Sequence, residues 1–226
     1  MMSSNAIPSN RWEPTPRWER RQREVLGVVA TAFAEKGYLG ASIKDIADRL
    51  GVRQASLYYY FPSKEAALAA ICELGVKDFI ENLREILSRD SPIADKIRAA
   101  IANHLMPLRT HPDADYIRVF IRHRHELPDG LRHKVAALAR EYQNLIEQLF
   151  VDGIASGELQ RDLNPQRATL ALLGLCNSVI AARALPRTSS IDNFIEDYAR
   201  MFTYGVVAEI GIATAPRHKK NSSRVE

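Results

Sequence analysis

Apolar residues recur at helical spacing along the chain, and the clearest example lies near the N-terminus. The apolar positions 43, 46, 47 and 50 stand at i, i+3, i+4 and i+7, which places them on one face of a helix. Ser42 precedes this helix as an N-cap, and Asp45 three residues later forms a short version of the capping box. Gly51 follows the last apolar position, where a left-handed C-cap favours a residue without a Cβ atom.

A second short helix is predicted a few residues further on. Leu57 and Phe61 repeat an apolar spacing of four, and Pro62 ends the helix because proline cannot continue it. Ser63 then stands in position to cap the next helix. Two short helices joined by a turn that contains glycine are typical of a helix-turn-helix, although a purely structural helical hairpin has the same pattern.

The rest of the chain is predicted to be helical as well. Seven further helices follow from the same spacing and from the turn residues between them, and they span residues 16–36, 63–88, 93–109, 115–126, 131–151, 166–185 and 191–212. No strand pattern and no internal repeat occurs, so the predicted fold class is all-α. The first three helices are expected to form a complete small core by packing on Leu26, Phe33, Ile46, Leu50, Leu57 and Phe61.

Positive charge is concentrated at the helix-turn-helix end of the chain. Residues 11–64 hold ten Lys or Arg against six Asp or Glu, whereas residues 65–226 hold 21 of each kind. A surface that faces DNA needs this distribution, because neutralisation of phosphates supplies much of the affinity. The charge pattern therefore favours a DNA-facing domain over a diffuse basic surface with no particular partner.

One stretch resembles a known family closely. The segment AFAEKGYLGASIKDIADRLGVRQASLYYYFPSKEAAL, at residues 32–68, resembles the N-terminal domain of the tetracycline-repressor (TetR) family of bacterial transcriptional regulators. The resemblance covers roughly residues 20–68 and includes the motifs F-A-E-K-G-Y, I-x-x-I-A-x-x-L-G-V and L-Y-Y-Y-F-P-S-K. The chain departs from the family at Arg53, where members often carry Ser or Thr, and this extra charge is expected to affect the half-site preference.

The resemblance implies an interface with double-stranded, palindromic operator DNA. Arg53, Gln54 and Ser56 stand at the start of the recognition helix and are expected to reach base edges in the major groove. Tyrosine hydroxyls and a lysine after the helix are expected to hold phosphates. The predicted DNA-contacting residues are Ser42, Lys44, Arg53, Gln54, Ala55, Ser56, Tyr58, Tyr59, Tyr60 and Lys64.

A pocket for a small-molecule effector is expected in the second half of the chain. The helix that starts at Ser63 is the only predicted helix that spans both halves, so a ligand that changes half-site spacing should bind against its inner face. The effector is expected to be apolar with one polar or anionic end, and acyl-CoA or aromatic compounds are the candidates that the resemblance suggests. The predicted lining, in which Arg122 and Tyr142 are the favoured polar contacts, is Phe79, Leu83, His104, Leu105, Arg118, Ile121, Arg122, Tyr142, Leu145 and Asn177.

The last two predicted helices are candidates for a subunit interface. Residues 168–182 carry no charge, and small residues there would let another helix approach closely, while the last helix has a near-continuous apolar stripe. The alternative is that both helices pack inside one subunit. The predicted dimer contacts are Ala171, Gly174, Ser178, Ala181, Phe194, Tyr198, Phe202 and Val206.

Several other classes of protein find little support in the sequence. No nucleophile elbow, P-loop or dinucleotide fingerprint occurs, and His123 and His125 have the wrong spacing for a metal pair on one helix face, so no catalytic residue, metal or cofactor is predicted. The two cysteines, the lack of a secretory signal and the lack of a membrane-length apolar run lead us to expect a cytoplasmic protein.

These observations predict a dimeric, ligand-responsive DNA-binding repressor. The expected division of the chain is a flexible arm at residues 1–17, a helix-turn-helix domain at 18–64, an effector-binding and dimerisation domain at 65–213 and a basic disordered tail at 214–226. One alternative is a DNA-binding regulator whose C-terminal domain binds a protein partner. A helical enzyme is the third hypothesis.

Overall fold

In the computed structural model, residues 16–109, 113–182 and 190–206 are described, and helices are the regular elements within these ranges. The predicted all-α fold class is confirmed. Most of the predicted N-terminal arm and the whole predicted basic tail lie outside the described residues. The same is true of the last three residues of the helix predicted at 166–185 and of the end of the helix predicted at 191–212.

The helices follow one another with short connections. They are α1 (Pro16–Lys36), α2 (Ile43–Leu50), α3 (Gln54–Leu57), α4 (Lys64–Ser88), α5 (Ile93–Leu105), α6 (Asp113–His123), α7 (Asp129–Ala155), α8 (Pro165–Ala181) and α9 (Ile191–Val206). Two 3₁₀ turns, Met106–Arg109 and Arg124–Glu126, extend α5 and α6. None of the helices in the described ranges combines the length and apolar character that a bilayer crossing requires.

Both ends of α2 adopt the geometry that the sequence predicts. The Ser42 hydroxyl oxygen accepts a hydrogen bond from the Asp45 amide (3.0 Å), and the Asp45 carboxylate accepts one from the Ser42 amide (3.0 Å), which completes a capping box. Gly51 has φ 64° and ends the helix in the left-handed region. A Lys36–Asp45 ion pair (2.9 Å) links this helix start to the end of α1.

The recognition helix is shorter than the apolar spacing suggests. α3 ends at Leu57, and the amides of Tyr60 and Phe61 both donate to the Leu57 carbonyl (2.9 and 3.1 Å) in a tight turn. The prediction that Phe61 lies on the same helix was therefore wrong. Pro62 accounts for the position of Phe61 outside the helix, because a residue that precedes proline is pushed out of the helical region.

Two apolar cores divide the molecule, and α4 belongs to both. The N-terminal core combines α1, α2 and α3 with residues 67–72 of α4, and the second core combines the rest of α4 with α5, α7, α8 and α9. The N-terminal core also contains Val119, Leu127 and Val135, which are at most 2% exposed. The expectation that three helices form a complete core was therefore incomplete, because the core is closed by residues from the C-terminal half.

Candidate DNA-binding surface and effector cavity

The recognition helix presents its polar residues to solvent. Leu57 is fully buried and anchors α3 to the N-terminal core, and the residues around it are exposed at positions 53–56, 58 and 59. Tyr58 and Tyr59 are 52% and 65% exposed, so both hydroxyls are available to phosphates. The structure therefore brings together the residues predicted to read bases and most of those predicted to hold phosphates.

Two other predicted DNA contacts, Tyr60 and Ser42, are more constrained. Tyr60 is partly buried and packs edge-to-face on Tyr59, with ring centres 5.4 Å apart. Its carbonyl accepts a hydrogen bond from the Gln22 side chain (3.3 Å), so this residue also fixes α1. Ser42 is exposed, but its hydroxyl is used in the cap and donates to Asp45 (2.8 Å). Lys44, on the same helix, is exposed.

Lys64 is held against the N-terminal domain. Its ammonium donates to the Leu39 carbonyl (3.4 Å) and lies 4.6 Å from the centre of the Tyr38 ring. The Tyr38 hydroxyl in turn donates to Glu65 (3.2 Å), and burial together with the Glu65 charge raises the pKa of Tyr38 to about 12. The first turn of α4 is therefore fixed to the end of α1 by a neutral phenol between two charged side chains.

A small cavity lies between α4, α5, α6 and α7. Its volume is about 50 Å³, and its walls are almost entirely apolar. The lining consists of Gly75, Val76, Phe79, His104, Ile117, Phe120, Ile121 and Tyr142. We call this space the inner cavity. Its lining, apolar with few polar groups, is like that of a ligand site in a helical protein, at a much smaller volume.

The polar end of the inner cavity is a buried hydrogen-bond network. One ring nitrogen of His104, Nδ1, lies 3.0 Å from the Tyr142 hydroxyl, and the other, Nε2, lies 3.2 Å from the Asn177 side-chain oxygen. Burial lowers the pKa of His104 to about 4 and raises the pKa of Tyr142. Both groups are neutral at pH 7, so the network presents hydrogen-bonding groups without charge.

Four of the predicted lining residues meet at this cavity, namely Phe79, His104, Ile121 and Tyr142. Asn177 lies behind His104, while Leu83 and Leu105 are fully buried in the adjoining core. Leu145 packs against that core and is partly buried.

Arg118 and Arg122 do not belong to the inner cavity, which corrects the prediction for both. They line a different open cleft near the ends of α1 and α8, where Arg118 pairs with Asp115 (3.3 Å) and Arg122 donates to the Ala181 carbonyl (3.2 Å). Helical spacing explains this, because positions 117, 120 and 121 share the face of α6 that meets the cavity, and positions 118 and 122 lie on another face.

Gly75, Val76 and Ile117 also line the cavity and were missing from the predicted lining. Gly75 and Val76 lie one turn before Phe79, and Ile117 lies one turn before Ile121. The i−3 and i−4 neighbours of the predicted residues were the signal that could have found them.

A larger cleft opens beside the inner cavity. It has a volume of about 450 Å³, and sequence analysis did not predict it. Gly75, Phe79 and Ile117 line both spaces, so the cleft and the cavity are adjacent. The other lining residues are Arg20, Arg23 and Glu24 of α1, Leu74, Asp78 and Asn82 of α4, and Asn103, Pro107 and Tyr116. We call this space the interdomain cleft.

The predicted dimer residues separate into two groups. Ala171, Gly174, Ser178 and Ala181 are all exposed on α8, beside the exposed Leu170. On α9, Phe194 and Tyr198 are partly buried and pack against the second core, and the side chain of Val206 lies outside the described residues.

Phe202 lies inside its own subunit, in contrast to the prediction that it forms a subunit contact. It is 7% exposed, and its ring centre is 5.9 Å from that of Phe150. The apolar stripe of α9, at positions 191, 195, 199 and 202, packs into the second core with α5. Met201 and Tyr204, which are 60% and 82% exposed, lie outside that stripe.

Comparison with known proteins places this architecture in a class of bacterial DNA-binding regulators. Residues 29–71 match the family model described as bacterial regulatory proteins of the tetR family, and residues 90–181 match the tetracyclin repressor-like C-terminal domain. The two matches together cover more than half of the chain. The protein belongs to the TetR family of transcriptional regulators.

Individual relatives are distant. The chain is similar to the fatty acid metabolism regulator protein of Bacillus subtilis (strain 168), with 23% identity over 157 residues that cover 70% of this chain and 80% of that protein. Among solved structures it is similar to AibR in complex with isovaleryl coenzyme A and operator DNA (TM-score 0.72, 21% identity, 80% of this chain and 97% of that one). It is also similar to FadR of Bacillus subtilis in complex with stearoyl-CoA (TM-score 0.68, 20% identity, 81% and 98%). These two structures show the shared fold.

Proposed function

We propose that the protein is a homodimeric repressor that leaves a palindromic operator when a small molecule occupies the inner cavity. The DNA-binding domain corresponds to residues 18–64 and the effector-binding and dimerisation domain to residues 65–213. Arg53, Gln54 and Ser56 read base edges, and Tyr58, Tyr59 and Lys64 hold phosphates. Dimer contact involves the exposed small-residue face of α8, because two half-sites require two recognition helices at a fixed spacing.

The observation that carries this proposal is the position of the inner cavity against α4. Phe79 lines the cavity, and Lys64 begins the same helix beside the recognition helix. A ligand that displaces Phe79 therefore acts on the element that fixes the DNA-binding domain. The ligand needs to favour the non-binding arrangement by only a few kcal/mol to empty the operator.

An acyl compound is the effector class we propose. The inner cavity is apolar with a neutral polar end, which suits the hydrocarbon part of such a molecule. The structural neighbours named above hold isovaleryl coenzyme A and stearoyl-CoA, which supports this class. A cavity with these walls also favours a small molecule over a protein partner. The match to families of regulators favours this function over a helical enzyme.

The proposal is tested by operator selection followed by effector release. Duplexes that bind the protein are first selected from a random pool, and release is then measured by fluorescence anisotropy with a panel of acyl-CoAs, free fatty acids and aromatic acids. We expect a two-fold symmetric site and release by an acyl compound. The Phe79→Trp variant should need at least about fivefold more effector, since the larger ring occupies the cavity and overpacking costs about 1–3 kcal/mol.

A matched control distinguishes an effect of filling the cavity on effector release from a general effect of a larger side chain. Val151→Trp adds the same kind of ring on α7 at a position that is 41% exposed and outside the cavity, so release should be unchanged. Equal release from the native protein and from Phe79→Trp would show that the effector does not bind against this helix. Failure to select any duplex would refute the proposal as a whole.

A further inference from the structure

The interdomain cleft joins the DNA-binding half of the molecule to the effector half. α1 contributes three lining residues, Arg20, Arg23 and Glu24, and α4, α5 and α6 contribute most of the others. The adjoining inner cavity is walled by the effector half alone. A molecule that extends from the inner cavity into the cleft therefore touches both halves at once.

The cleft differs in chemistry from the inner cavity. Arg20 and Arg23 are exposed, and neither forms an ion pair within residues 16–109, 113–182 and 190–206. Glu24 is engaged by Arg21, which lies 2.8 Å away, so its charge is already compensated. Asp78 also lines the cleft, and the two guanidinium groups outweigh it. Two amide side chains, Asn82 and Asn103, add hydrogen-bonding groups.

The position of Arg23 relative to the effector half is fixed by its backbone. The Tyr116 hydroxyl of α6 donates to the Arg23 carbonyl (3.0 Å), which ties α1 to the helix that walls the inner cavity. Asn103 donates from its side chain to the Phe79 carbonyl (3.1 Å) at the boundary between the cleft and the cavity. The two guanidinium groups therefore lie in the cleft that adjoins the apolar inner cavity.

We propose that the interdomain cleft binds the anionic headgroup of the effector, with Arg20 and Arg23 as the anion-binding residues. This inference rests on the proposed function, because the apolar part of the same molecule occupies the inner cavity against Phe79 and Tyr142. Guanidinium groups suit phosphate and carboxylate equally, since their planar donors bind both in a bidentate manner. The headgroup is therefore either the phosphates of an acyl-CoA or the carboxylate of a free acid.

This arrangement makes the DNA-binding domain a part of the effector site. A headgroup held by α1 contacts the domain that binds the operator, instead of acting only through α4. Linkage requires that any effect of the headgroup on operator affinity be matched by an equal effect of the operator on headgroup affinity. An effector that lacks the anion should bind the inner cavity and release the operator less well.

The test compares matched probes on matched variants. Isothermal titration with the full-length protein uses butyryl-, octanoyl- and palmitoyl-CoA, the three corresponding free acids, and CoA without an acyl chain. The variants are Arg20→Gln, Arg23→Gln and the double variant, and Arg140→Gln is the control because it removes one exposed positive charge on α7, outside the cleft. Operator affinity is measured for each variant in the absence of probe.

We expect the double variant to bind its best acyl probe at least about tenfold more weakly than the native protein, since hydrogen bonds to charged groups are the stronger kind. Arg140→Gln should match the native protein, and operator affinity should change less than twofold in all variants. If only the CoA thioesters lose affinity, the bound anion is phosphate. If the free acids lose affinity in the same way, it is carboxylate.

Two results would overturn the inference. One is that the double variant binds every probe as tightly as the native protein. The other is that the double variant loses operator affinity while probe affinity stays constant, which would assign these arginines to DNA phosphates. Both results leave operator selection and Phe79-dependent release intact, so they are distinguishable from failure of the proposed function.

Discussion

The DNA-binding surface and the inner cavity hold their polar groups in opposite ways. On α3, polar side chains stand exposed around one buried anchor, Leu57, within a few residues of sequence. In the cavity, His104, Tyr142 and Asn177 are paired with one another across three helices, at separations of 38 and 73 residues. The first surface is free to exchange water for DNA, whereas the second keeps its shape because every change leaves a buried group unpaired.

The largest effect that separates the two regions should come from the core of the effector half. Phe202→Asp removes a buried ring that packs on Phe150 and places a carboxylate there, so we expect a loss of at least about 4 kcal/mol in the free energy of unfolding. Urea unfolding followed by circular dichroism measures this loss. The neighbouring variant Met201→Asp, at a position 60% exposed, should lose less than about 0.5 kcal/mol.

The subunit contact is tested separately, on α8. Ala181→Arg places a long charged side chain on the exposed small-residue face, and we expect a folded monomer with most of its operator affinity lost. Light scattering gives the mass, and circular dichroism gives the fold. A dimer with native mass would place the interface elsewhere.

The buried His104 should make the stability of the protein depend on pH, which the exposed DNA-binding surface should not do. Burial lowers the pKa of His104 to about 4 in the folded state, below the ordinary value near 6.5, so protonation favours the unfolded chain. The stabilising effect of the neutral ring is complete above about pH 6.5 and falls with pH toward the folded pKa. We expect a loss of about 2 kcal/mol in the free energy of unfolding between pH 7.5 and pH 5.

The His104→Asn variant is the control for that titration. It has no group that titrates in this range at position 104, so its stability at pH 7.5 should be lower but less dependent on pH. Parallel profiles for the native protein and this variant would show that His104 is solvated in the folded state. Urea midpoints at half-unit pH steps are sufficient for the comparison.

On the DNA-facing surface, single substitutions should change recognition more than stability. Gln54→Ala should cost about 1.5 kcal/mol on the selected operator and relax the preference at one base position. Lys64→Ala should weaken all duplexes alike and lower the salt slope by about one unit. Binding at several salt concentrations to the selected site and to a scrambled duplex distinguishes them, and sequence-independent losses in both would remove the base-reading role of Gln54.

The smallest effect is expected at the turn that supports this surface. Gly51→Ala forces a side chain into the left-handed region at φ 64°, where nothing within 4 Å opposes the new Cβ atom. The cost should therefore be only the backbone strain, about 1 kcal/mol. Thermal unfolding measures this cost, and a loss several times larger would show that the turn is also crowded in solution.

The accuracy of the sequence predictions follows the same contrast between the regions. The caps of α2, the start of α4 at Ser63 and the exposure of residues 53–56 depend on neighbours within a few positions, and the sequence alone was sufficient for them. Helical periodicity also identified Phe79 and Tyr142 as inward residues. It could not assign each inward face to a neighbour, because that depends on how helices far apart in sequence are rotated against each other.

Two residues show this limit directly. Arg122 was favoured as a polar group near the expected pocket. It lies one position after Ile121, and a rotation of about 100° per residue carries it to another face of α6. Phe202 belongs to an apolar stripe that is equally compatible with a partner subunit and with the subunit's own core. Only the packing of α9 on α5 decides between them.

The shared N-terminal core has a consequence for how such a protein can be recombined. Val119, Leu127 and Val135 close that core from the C-terminal half, and α4 contributes residues 67–72 to it. A gene fusion cut at residue 64 would leave these apolar surfaces uncovered on both pieces. The DNA-binding domain is therefore not a separable module. A chimaeric biosensor that joins this effector half to a different DNA-binding domain would have to include α4 up to residue 72. The new domain would also need a surface that packs against Val119, Leu127 and Val135.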